Sequence, residues 1–277
     1  MDLSNENVIH IKKDNIEYLQ FRKLLEYPEI KHAYSLGINR DYRTAKADKK
    51  ALDIEKYNQA IENYKDLCNA ISTNSNNLVK ANQEHTDRVK IVEEKINKNS
   101  PDFNLEKYNQ TDGLITNKNN IILSTTNADC ILLLFYDPKT KTIANIHSGW
   151  KGTIKRIAEK TVEKMNQEFN SNPKDMICCI CPSIRKCHFE VERDVMEKFK
   201  KEFYEFESTE FIEEKIPNKK WNIDTVYINK KMLEKKRLKP ENIIDSKICS
   251  MCNSNLIHSY RAEKEGYGLS TAIIEIN

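Results

Sequence analysis

Cys130 and His147 are two metal-competent side chains that flank a pair of short apolar runs. Cys130 directly precedes the run 131–136, and the run 142–146 ends at His147. The polar residues 137–140 between the runs predict a turn. This spacing favours a strand pair whose neighbouring ends bring Cys130 and His147 together.

A third residue, His85, can complete a metal site with Cys130 and His147. Imidazole nitrogen and thiolate together suit a borderline-soft ion such as Zn(II), and three protein ligands leave a fourth position for water or substrate. The residues alone leave two alternatives open. His85 and Cys130 could be an ordinary surface histidine and a buried thiol, or Cys130 and His147 could act without metal as nucleophile and base.

A possible anion site follows His147 directly. Gly149, Lys151 and Gly152 form a glycine-containing turn ahead of a predicted helix over 153–169. The N–H groups at such a helix start have no partner within the helix and lie at the positive end of its dipole, which suits phosphate. Arg261 is a further candidate for anion binding, although an exposed surface arginine is the commoner case.

Five of the other seven cysteines fall into two groups, one at 178, 179 and 181 and the other a C-x-x-C pair, Cys249 and Cys252. A structural zinc site built from them is conceivable. On a strand, however, alternate residues face opposite sides, so the three neighbouring thiols cannot easily serve one ion. We therefore expect these three residues to be packed thiols. The polar residues after Cys252 argue against a thioredoxin-like pair of Cys249 and Cys252.

The elements that must position these residues follow from periodicity. Two strand segments within 78–92 should flank a polar bend that carries His85, and 54–71 is predicted to be an amphipathic helix. A polar loop over 39–50 contains Arg43, and 205–220 reads as a polar, mobile segment. Asn222 or Asp224 should cap a further helix, and 256–260 and 269–276 should be closing strands.

Composition limits the class of protein. The chain has 277 residues, 39% hydrophobic and 31% charged, with a formal net charge of +3. These values describe a soluble globular protein. The mixture of predicted strands and helices, without a repeat or a linker, favours the α+β class, with residues 1–277 in one domain and a mixed β-sheet core flanked by helices. No basic cluster suggests nucleic acid, no apolar run suggests a membrane, and no secretory signal begins the chain, so the expected location is cytoplasmic. The oligomeric state is not predicted.

Several short motifs occur together in an order typical of one family. They are Gln83-Glu84-His85, Thr111-Asp112-Gly113, Ala128-Asp129-Cys130, His147-Ser148-Gly149-Trp150-Lys151-Gly152, Pro182-Ser183-Ile184 and His258-Ser259-Tyr260-Arg261. By these motifs the chain resembles the laccase-domain family, also known as multicopper polyphenol oxidoreductases or peptidoglycan editing factors and later described as purine nucleoside phosphorylases. The resemblance extends from about His32 to the C-terminus.

The resemblance implies an α/β sandwich and a zinc ion bound by His85, Cys130 and His147. It also implies phosphorolysis of adenosine, inosine, guanosine or methylthioadenosine, with adenosine deamination in addition. In that activity the turn at Gly149, Lys151 and Gly152 would hold phosphate, with Arg43 or Arg261. Asp129 or Glu84 would carry a proton or support a ligand.

Zinc chemistry fits this activity better than laccase chemistry does. A multicopper oxidase needs several copper ions and many histidines, whereas this chain has six histidines, so copper is the less favoured metal. A zinc ion with an open position lowers the pKa of bound water, which suits deamination at C6 of adenine. Three alternatives remain: a polyphenol oxidase, a metal-independent Cys/His hydrolase acting on an amide or peptidoglycan-related substrate, and a non-catalytic metal-binding protein.

Overall fold

Two six-stranded mixed sheets and a smaller three-stranded sheet form the framework. A computed structural model describes residues 1–44, 54–94 and 107–277. The loop predicted over 39–50 and the connection predicted over 95–109 therefore fall partly outside the described residues. None of the helices in the described ranges has the length and apolar character needed to span a bilayer.

The strands, in chain order, are β1 Val8–Lys13, β2 Ile16–Phe21, β3 Ile30–Leu36, β4 Leu78–Lys80, β5 Val89–Ile91, β6 Gly113–Thr116, β7 Ile122–Asn127, β8 Ile131–Asp137, β9 Thr142–Ser148, β10 Ile177–Ile180, β11 Glu190–Val191, β12 Ile212–Ile216, β13 Lys220–Ile223, β14 Ile243–Asp245 and β15 Ser270–Ile276. The helices are α1 Arg22–Leu25, α2 Ile54–Ala70, α3 Trp150–Ile154, α4 Ile157–Phe169, α5 Arg193–Glu202, α6 Ser208–Phe211, α7 Thr225–Lys235 and α8 Tyr260–Glu263.

The two large sheets pack face to face around a shared core. One sheet has the order β1-β2-β3-β15-β7-β4 and the other β14-β10-β8-β9-β6-β5. Leu123 and Ile274 of the first sheet lie in one hydrophobic cluster with Leu132 and Leu134 of the second. The α+β class and the mixed-sheet sandwich predicted from the sequence are confirmed.

The central hairpin has the predicted form. β8 and β9 pair antiparallel with Leu132 opposite His147, and every residue of both strands is buried. Asn145 on β9 joins the two sheets, since its side-chain amide donates to the carbonyls of Leu123, at 2.9 Å, and Ala272, at 2.8 Å. The buried hairpin is thus a fixed support for the residues at its end.

The polar bend that carries His85 connects the two large sheets. β4 is an edge strand of the first sheet, and β5 is an edge strand of the second. The two predicted strand segments are therefore confirmed, and the bend between them crosses one end of the sandwich. This crossing brings His85 towards the end of β9.

The single helix predicted over 153–169 is wrong. Two helices, α3 and α4, are separated by Arg156, whose φ of 61° lies in the left-handed region. The Arg156 guanidinium forms ion pairs with Glu159 at 2.7 Å, Glu202 at 2.6 Å and Glu205 at 2.8 Å. These contacts hold the break in place, and the apolar stripe that continues across it conceals it in the sequence.

Two further segment predictions are wrong. Residues 205–220, expected to be polar and mobile, contain α6, β12 and the start of β13, because β12 is an exposed edge strand and so carries charged side chains. Residues 256–260, expected to form a strand, lead instead into α8. Ser259 caps this helix by accepting a hydrogen bond from the Ala262 N–H at 3.3 Å.

Candidate active site

Three side chains from three separate segments converge at one end of the sandwich. His85 lies on the β4–β5 bend, Cys130 directly precedes β8, and His147 lies near the end of β9. Their ligand atoms all lie within 4.8 Å of one another, and the Cys130 Sγ is 3.8 Å from the His85 Nε2. In a tetrahedral zinc site, sulfur and nitrogen ligands lie roughly 3.5 Å apart. The cluster therefore has the spacing of a three-ligand metal site.

Asp112 fixes the orientation of two members of the cluster. One of its carboxylate oxygens lies 2.7 Å from the His147 Nδ1 and also accepts from the His85 backbone N–H at 3.0 Å. The other accepts from the N–H and hydroxyl of Thr86, at 2.7 and 2.6 Å. With Nδ1 held by Asp112, Nε2 of His147 is the nitrogen left to bind a ligand. In the sequence, Asp112 stands out only as part of a motif, and the predicted supporting residue is Asp129 or Glu84.

Gly149 is needed because the cluster approaches its backbone closely. A Cβ atom at this position would lie 2.8 Å from the His85 ring, 3.1 Å from the Cys130 Sγ and 3.2 Å from the His147 ring. Any side chain here would push the three ligands apart. Gly149 thus forms part of the wall of the cluster, which the sequence analysis did not foresee.

The ionisable groups of the cluster strongly shift one another's pKa values. Burial alone would raise the pKa of the Cys130 thiol, but the two neighbouring imidazoles lower it to about 6. Burial opposes protonation of His147, yet the Cys130 thiolate and the Asp112 carboxylate raise its pKa to about 10. Hydrogen bonds from His147 and Thr86 likewise lower the pKa of Asp112 to about 2, against the effect of burial. Without a metal, thiolate and imidazolium thus stabilise each other.

A cavity of about 660 Å³ opens above the cluster. This volume lies in the range of small-molecule sites. Among the predicted site residues, those that line it are His85, Cys130, His147, Asp129, Glu84, Arg43 and Arg261. Gly149, Lys151 and Gly152 are not among the lining residues.

Asp129 anchors one wall of this cavity. Its carboxylate accepts from the Ser250 hydroxyl at 2.5 Å and from the Arg261 N–H at 2.7 Å. Its φ of 84° is unusual for a residue with a side chain, so these contacts hold a strained backbone. The Arg261 guanidinium donates to the Glu190 carbonyl at 3.0 Å, which also ties it to the wall.

Two cations line another part of the cavity, and the sequence analysis identified only one of them. Arg43 donates to the Tyr267 carbonyl at 2.7 Å and lies over the Tyr267 ring. Lys80, on β4, is only 4% exposed. Burial, with Arg43 contributing, lowers the pKa of Lys80 to about 8. Sequence gave no signal for Lys80, because nothing in its local pattern separates a buried lysine from a surface one.

The turn predicted to bind phosphate lies beside the cluster but outside the cavity lining. Gly152 packs against the backbone, and a Cβ atom there would lie 3.2 Å from the Thr86 carbonyl oxygen. Lys151 is exposed, with its ammonium group 5.6 Å from the centre of the Trp150 ring. The helix that follows, α3, has only five residues.

The cysteine clusters differ from each other. Cys178, Cys179 and Cys181 are fully buried, in agreement with packed thiols. In the C-x-x-C pair, Cys252 is exposed, and Cys249 lies beside Cys187, a residue about sixty positions earlier in the chain. Only the tertiary fold brings these residues together.

Comparisons with known proteins support the motif-based resemblance. The family described as multi-copper polyphenol oxidoreductase laccase matches residues 43–277. The purine nucleoside phosphorylase YlmD of Bacillus subtilis is 27% identical over 221 residues, which are 79% of this chain and 78% of that protein. A purine nucleoside phosphorylase of Borreliella burgdorferi is 32% identical over 193 residues, 68% of this chain and 76% of that protein.

A protein named adenosine deaminase RL5, from an unknown prokaryotic organism, is 28% identical over 195 residues, 70% of this chain and 73% of that protein. Among solved structures, the hypothetical protein YfiH of Bacillus licheniformis superposes with a TM-score of 0.83 at 21% identity, covering 99% of this chain and 100% of that chain. At this identity the structural similarity shows a common fold.

Proposed function

The chain belongs to the multi-copper polyphenol oxidoreductase laccase family, and on that premise we propose that it is a zinc-dependent purine nucleoside phosphorylase. The observation that carries the proposal is the convergence of His85, Cys130 and His147 at a cavity lined by cations and aromatic rings. The names of the relatives from Bacillus subtilis and Borreliella burgdorferi support the same reaction.

The donor set favours zinc over copper. Two imidazoles and one thiolate are the ligands of a catalytic zinc site with one open position, and zinc needs no redox partner. When bound, the ion supplies Lewis acidity towards a substrate atom at the open position. Asp112 keeps His147 in the tautomer that presents Nε2, and Gly149 leaves room for the three ligands to approach one another.

The cavity suits a purine nucleoside. Trp150, Phe189, Tyr260 and Tyr267 are among its lining residues, and flat aromatic faces can pack against a purine ring. Backbone and side-chain polar groups between these rings can bind the ribose. We propose adenosine, inosine, guanosine and methylthioadenosine as substrates. The products are the base and ribose 1-phosphate, or 5-methylthioribose 1-phosphate in the case of methylthioadenosine. Adenosine deamination is proposed as a side activity, since it needs only water at the same site.

Phosphate must lie close to the ribose C1′ atom, and two arrangements can hold it. Lys80 and Arg43 line the cavity as a pair of cations, and phosphate binding would offset the cost of burying the Lys80 ammonium. The turn at Gly149, Lys151 and Gly152 is the alternative from the sequence. We favour Lys80 with Arg43, because both line the cavity.

The departing purine needs a proton, and two carboxylates line the cavity, Asp129 and Glu84. Asp129 already accepts hydrogen bonds on both oxygens, from Ser250 and Arg261, so its carboxylate holds the cavity wall in place. Glu84 is exposed, and its carboxylate can exchange protons with solvent. We propose Glu84 as the proton carrier and Asp129 as the residue that holds the wall of the cavity in place.

Product analysis tests the proposed reaction. Purified protein with zinc and adenosine should release adenine and ribose 1-phosphate when phosphate is present. Without phosphate, only slow formation of inosine is expected. Release of adenine and free ribose at the same rate with and without phosphate would contradict phosphorolysis.

One observation favours a second candidate function. The neighbouring imidazoles lower the pKa of Cys130, and His147 is held by Asp112 as the base of a Cys-His-Asp set would be. Such a set describes a metal-independent hydrolase acting on an amide or a peptidoglycan-related substrate. Chelation separates the two candidates, because a ligated thiolate is not free to attack: the hydrolase would keep its activity in chelator, whereas the phosphorylase would lose it.

A further inference from the structure

A second group of metal-competent side chains lies outside the cavity. Cys187 and His188 come from the loop before β11, and Cys249 and Cys252 come from the loop after β14. All four ligand atoms lie within 4.8 Å of one another. Neither the proposed reaction nor the family resemblance assigns a role to this group.

The distances within the group match the edges of a small tetrahedron. The Cys187 Sγ lies 3.6 Å from the Cys249 Sγ and 4.0 Å from the Cys252 Sγ. The His188 Nδ1 lies 3.2, 3.8 and 3.4 Å from the sulfurs of Cys187, Cys249 and Cys252. Zinc–sulfur and zinc–nitrogen bond lengths give edges of roughly 3.8 Å between two sulfurs and roughly 3.5 Å between sulfur and nitrogen.

The ligand set belongs to the closed, structural type of zinc site. Three thiolates and one imidazole fill all four positions of a tetrahedral ion, which leaves none for substrate. The Cys249-to-Cys252 spacing is a C-x-x-C around a short 3-10 helix, Met251–Asn253, and the other two ligands are adjacent in a tight turn. In that turn the His188 N–H donates to the Arg185 carbonyl at 2.9 Å.

We propose that Cys187, His188, Cys249 and Cys252 bind a second, structural zinc ion that fastens two loops together. The group is accessible for loading, since Cys187 and Cys252 are exposed. A disulfide is the competing use of the thiols, but it would pair only two of the three sulfurs and leave His188 without a role.

The first loop lines the cavity, and the second loop contacts a residue that lines it. Ile184 and Phe189, which flank the first pair of ligands, line the cavity. Ser250, between the second pair, donates its hydroxyl to the Asp129 carboxylate at 2.5 Å and its N–H to the Ser183 carbonyl at 3.0 Å. A zinc ion joining the loops would therefore fix the position of Asp129 and Phe189 without touching substrate.

Zinc stoichiometry in matched alanine variants tests the proposal. The full chain should carry two zinc ions. Cys130→Ala should lose the ion at the cavity and Cys252→Ala the ion between the two loops, so that each variant retains one. Cys252→Ala should also lower the melting temperature more than Cys68→Ala, which removes a buried thiol outside both groups. Wild-type protein and Cys252→Ala with equal zinc content after removal of free metal would overturn the proposal.

A second measurement does not depend on how the variants fold. In wild-type protein, alkylation of Cys187 and Cys252 should be slow with zinc bound and fast after chelation. Cobalt(II) added to metal-free Cys130→Ala should give the sulfur-to-metal charge-transfer absorption of a tetrahedral thiolate site. Fast alkylation regardless of metal, no such absorption, or an intact mass lower by two hydrogens would each overturn the proposal. These readouts stand even if the protein proves not to be a phosphorylase.

Discussion

At the scale of single residues, the candidate site depends on groups that support the ligands as much as on the ligands themselves. Asp112 accepts hydrogen bonds from His147, from the His85 backbone and from Thr86, so a single buried carboxylate positions two ligands. Gly149 leaves the space in which the ligands meet. Both residues act through geometry, which is why composition and spacing did not indicate their roles.

Replacing Asp112 with Asn tests this positioning role. The Asn amide can donate to the His147 Nδ1, which favours the tautomer with hydrogen on Nε2 and so blocks ligation. We expect a loss of roughly 10- to 100-fold in zinc affinity, measured by competition with a chelator. Asp137→Asn is the matched control, because Asp137 is equally buried but lies at the other end of the hairpin. Equal zinc affinity in the two variants would contradict the assignment.

Replacing Lys80 with Met tests the proposed phosphate pair. Loss of a charge-assisted hydrogen bond should raise the KM for phosphate roughly tenfold or more, with a smaller effect on the KM for nucleoside. Thermal stability should not fall, since the variant no longer buries an ammonium group. Lys151→Met is the comparison. If the KM for phosphate rises more in Lys151→Met than in Lys80→Met, phosphate binds at the turn that begins at Gly149 and not at Lys80.

His32, on β3, should make stability depend on pH. Burial lowers its pKa to about 3, and its Nε2 accepts the Phe21 N–H at 2.7 Å. An unfolded histidine binds a proton below about pH 6.5, whereas folded His32 does not. The contribution of neutral His32 to the free energy of unfolding is therefore complete above pH 6.5. As the pH falls from there to about 3, this contribution decreases by about 1.4 kcal/mol per pH unit.

The measurement is the free energy of unfolding by urea at several pH values between 4 and 7, compared with His32→Gln. Glutamine can accept the Phe21 hydrogen bond but does not titrate in this range. The dependence on pH should therefore be shallower in the variant. Identical slopes in the two proteins would show that His32 is protonated or solvated in the folded state.

At the scale of elements, the sequence predicts best those strands whose apolar runs end at polar or metal-competent residues. The hairpin β8–β9 and the two strand segments β4 and β5 follow from apolar runs separated by polar residues. The break between α3 and α4 was missed because it rests on ion pairs of Arg156 with residues far along the chain. The β12–β13 hairpin was missed because an exposed edge strand carries the same charged residues as a mobile loop.

The cap of α7 gives a prediction at this scale. Asp224 accepts the Tyr227 N–H at 2.8 Å, as expected from the sequence. Asp224→Ala should lower the free energy of unfolding by about 1 kcal/mol, whereas Asp224→Asn, which can still accept this bond, should change it less. Chemical denaturation measures both values. Equal losses in the two variants would mean that the carboxylate acts through its charge and not as a cap.

At the scale of the whole molecule, the candidate site is assembled from distant parts of the chain. β15, the last strand, lies between β3 and β7, so the C-terminal segment completes a sheet begun by the first residues. This arrangement supports our proposal that residues 1–277 form one domain. The candidate metal ligands His85, Cys130 and His147 could be selected from motifs. Lys80 and the cluster of Cys187, His188, Cys249 and Cys252 could not, since only the fold brings these residues to their neighbours.

Zinc content and adenosine turnover, measured together in wild-type protein and Cys130→Ala, test whether His85, Cys130 and His147 form a catalytic zinc site. We predict that the variant loses one zinc ion per chain and with it the phosphate-dependent release of adenine from adenosine, and that Cys68→Ala retains both. Phosphorolysis at the wild-type rate in metal-free protein, or in Cys130→Ala, would contradict the assignment of His85, Cys130 and His147 as a catalytic zinc site.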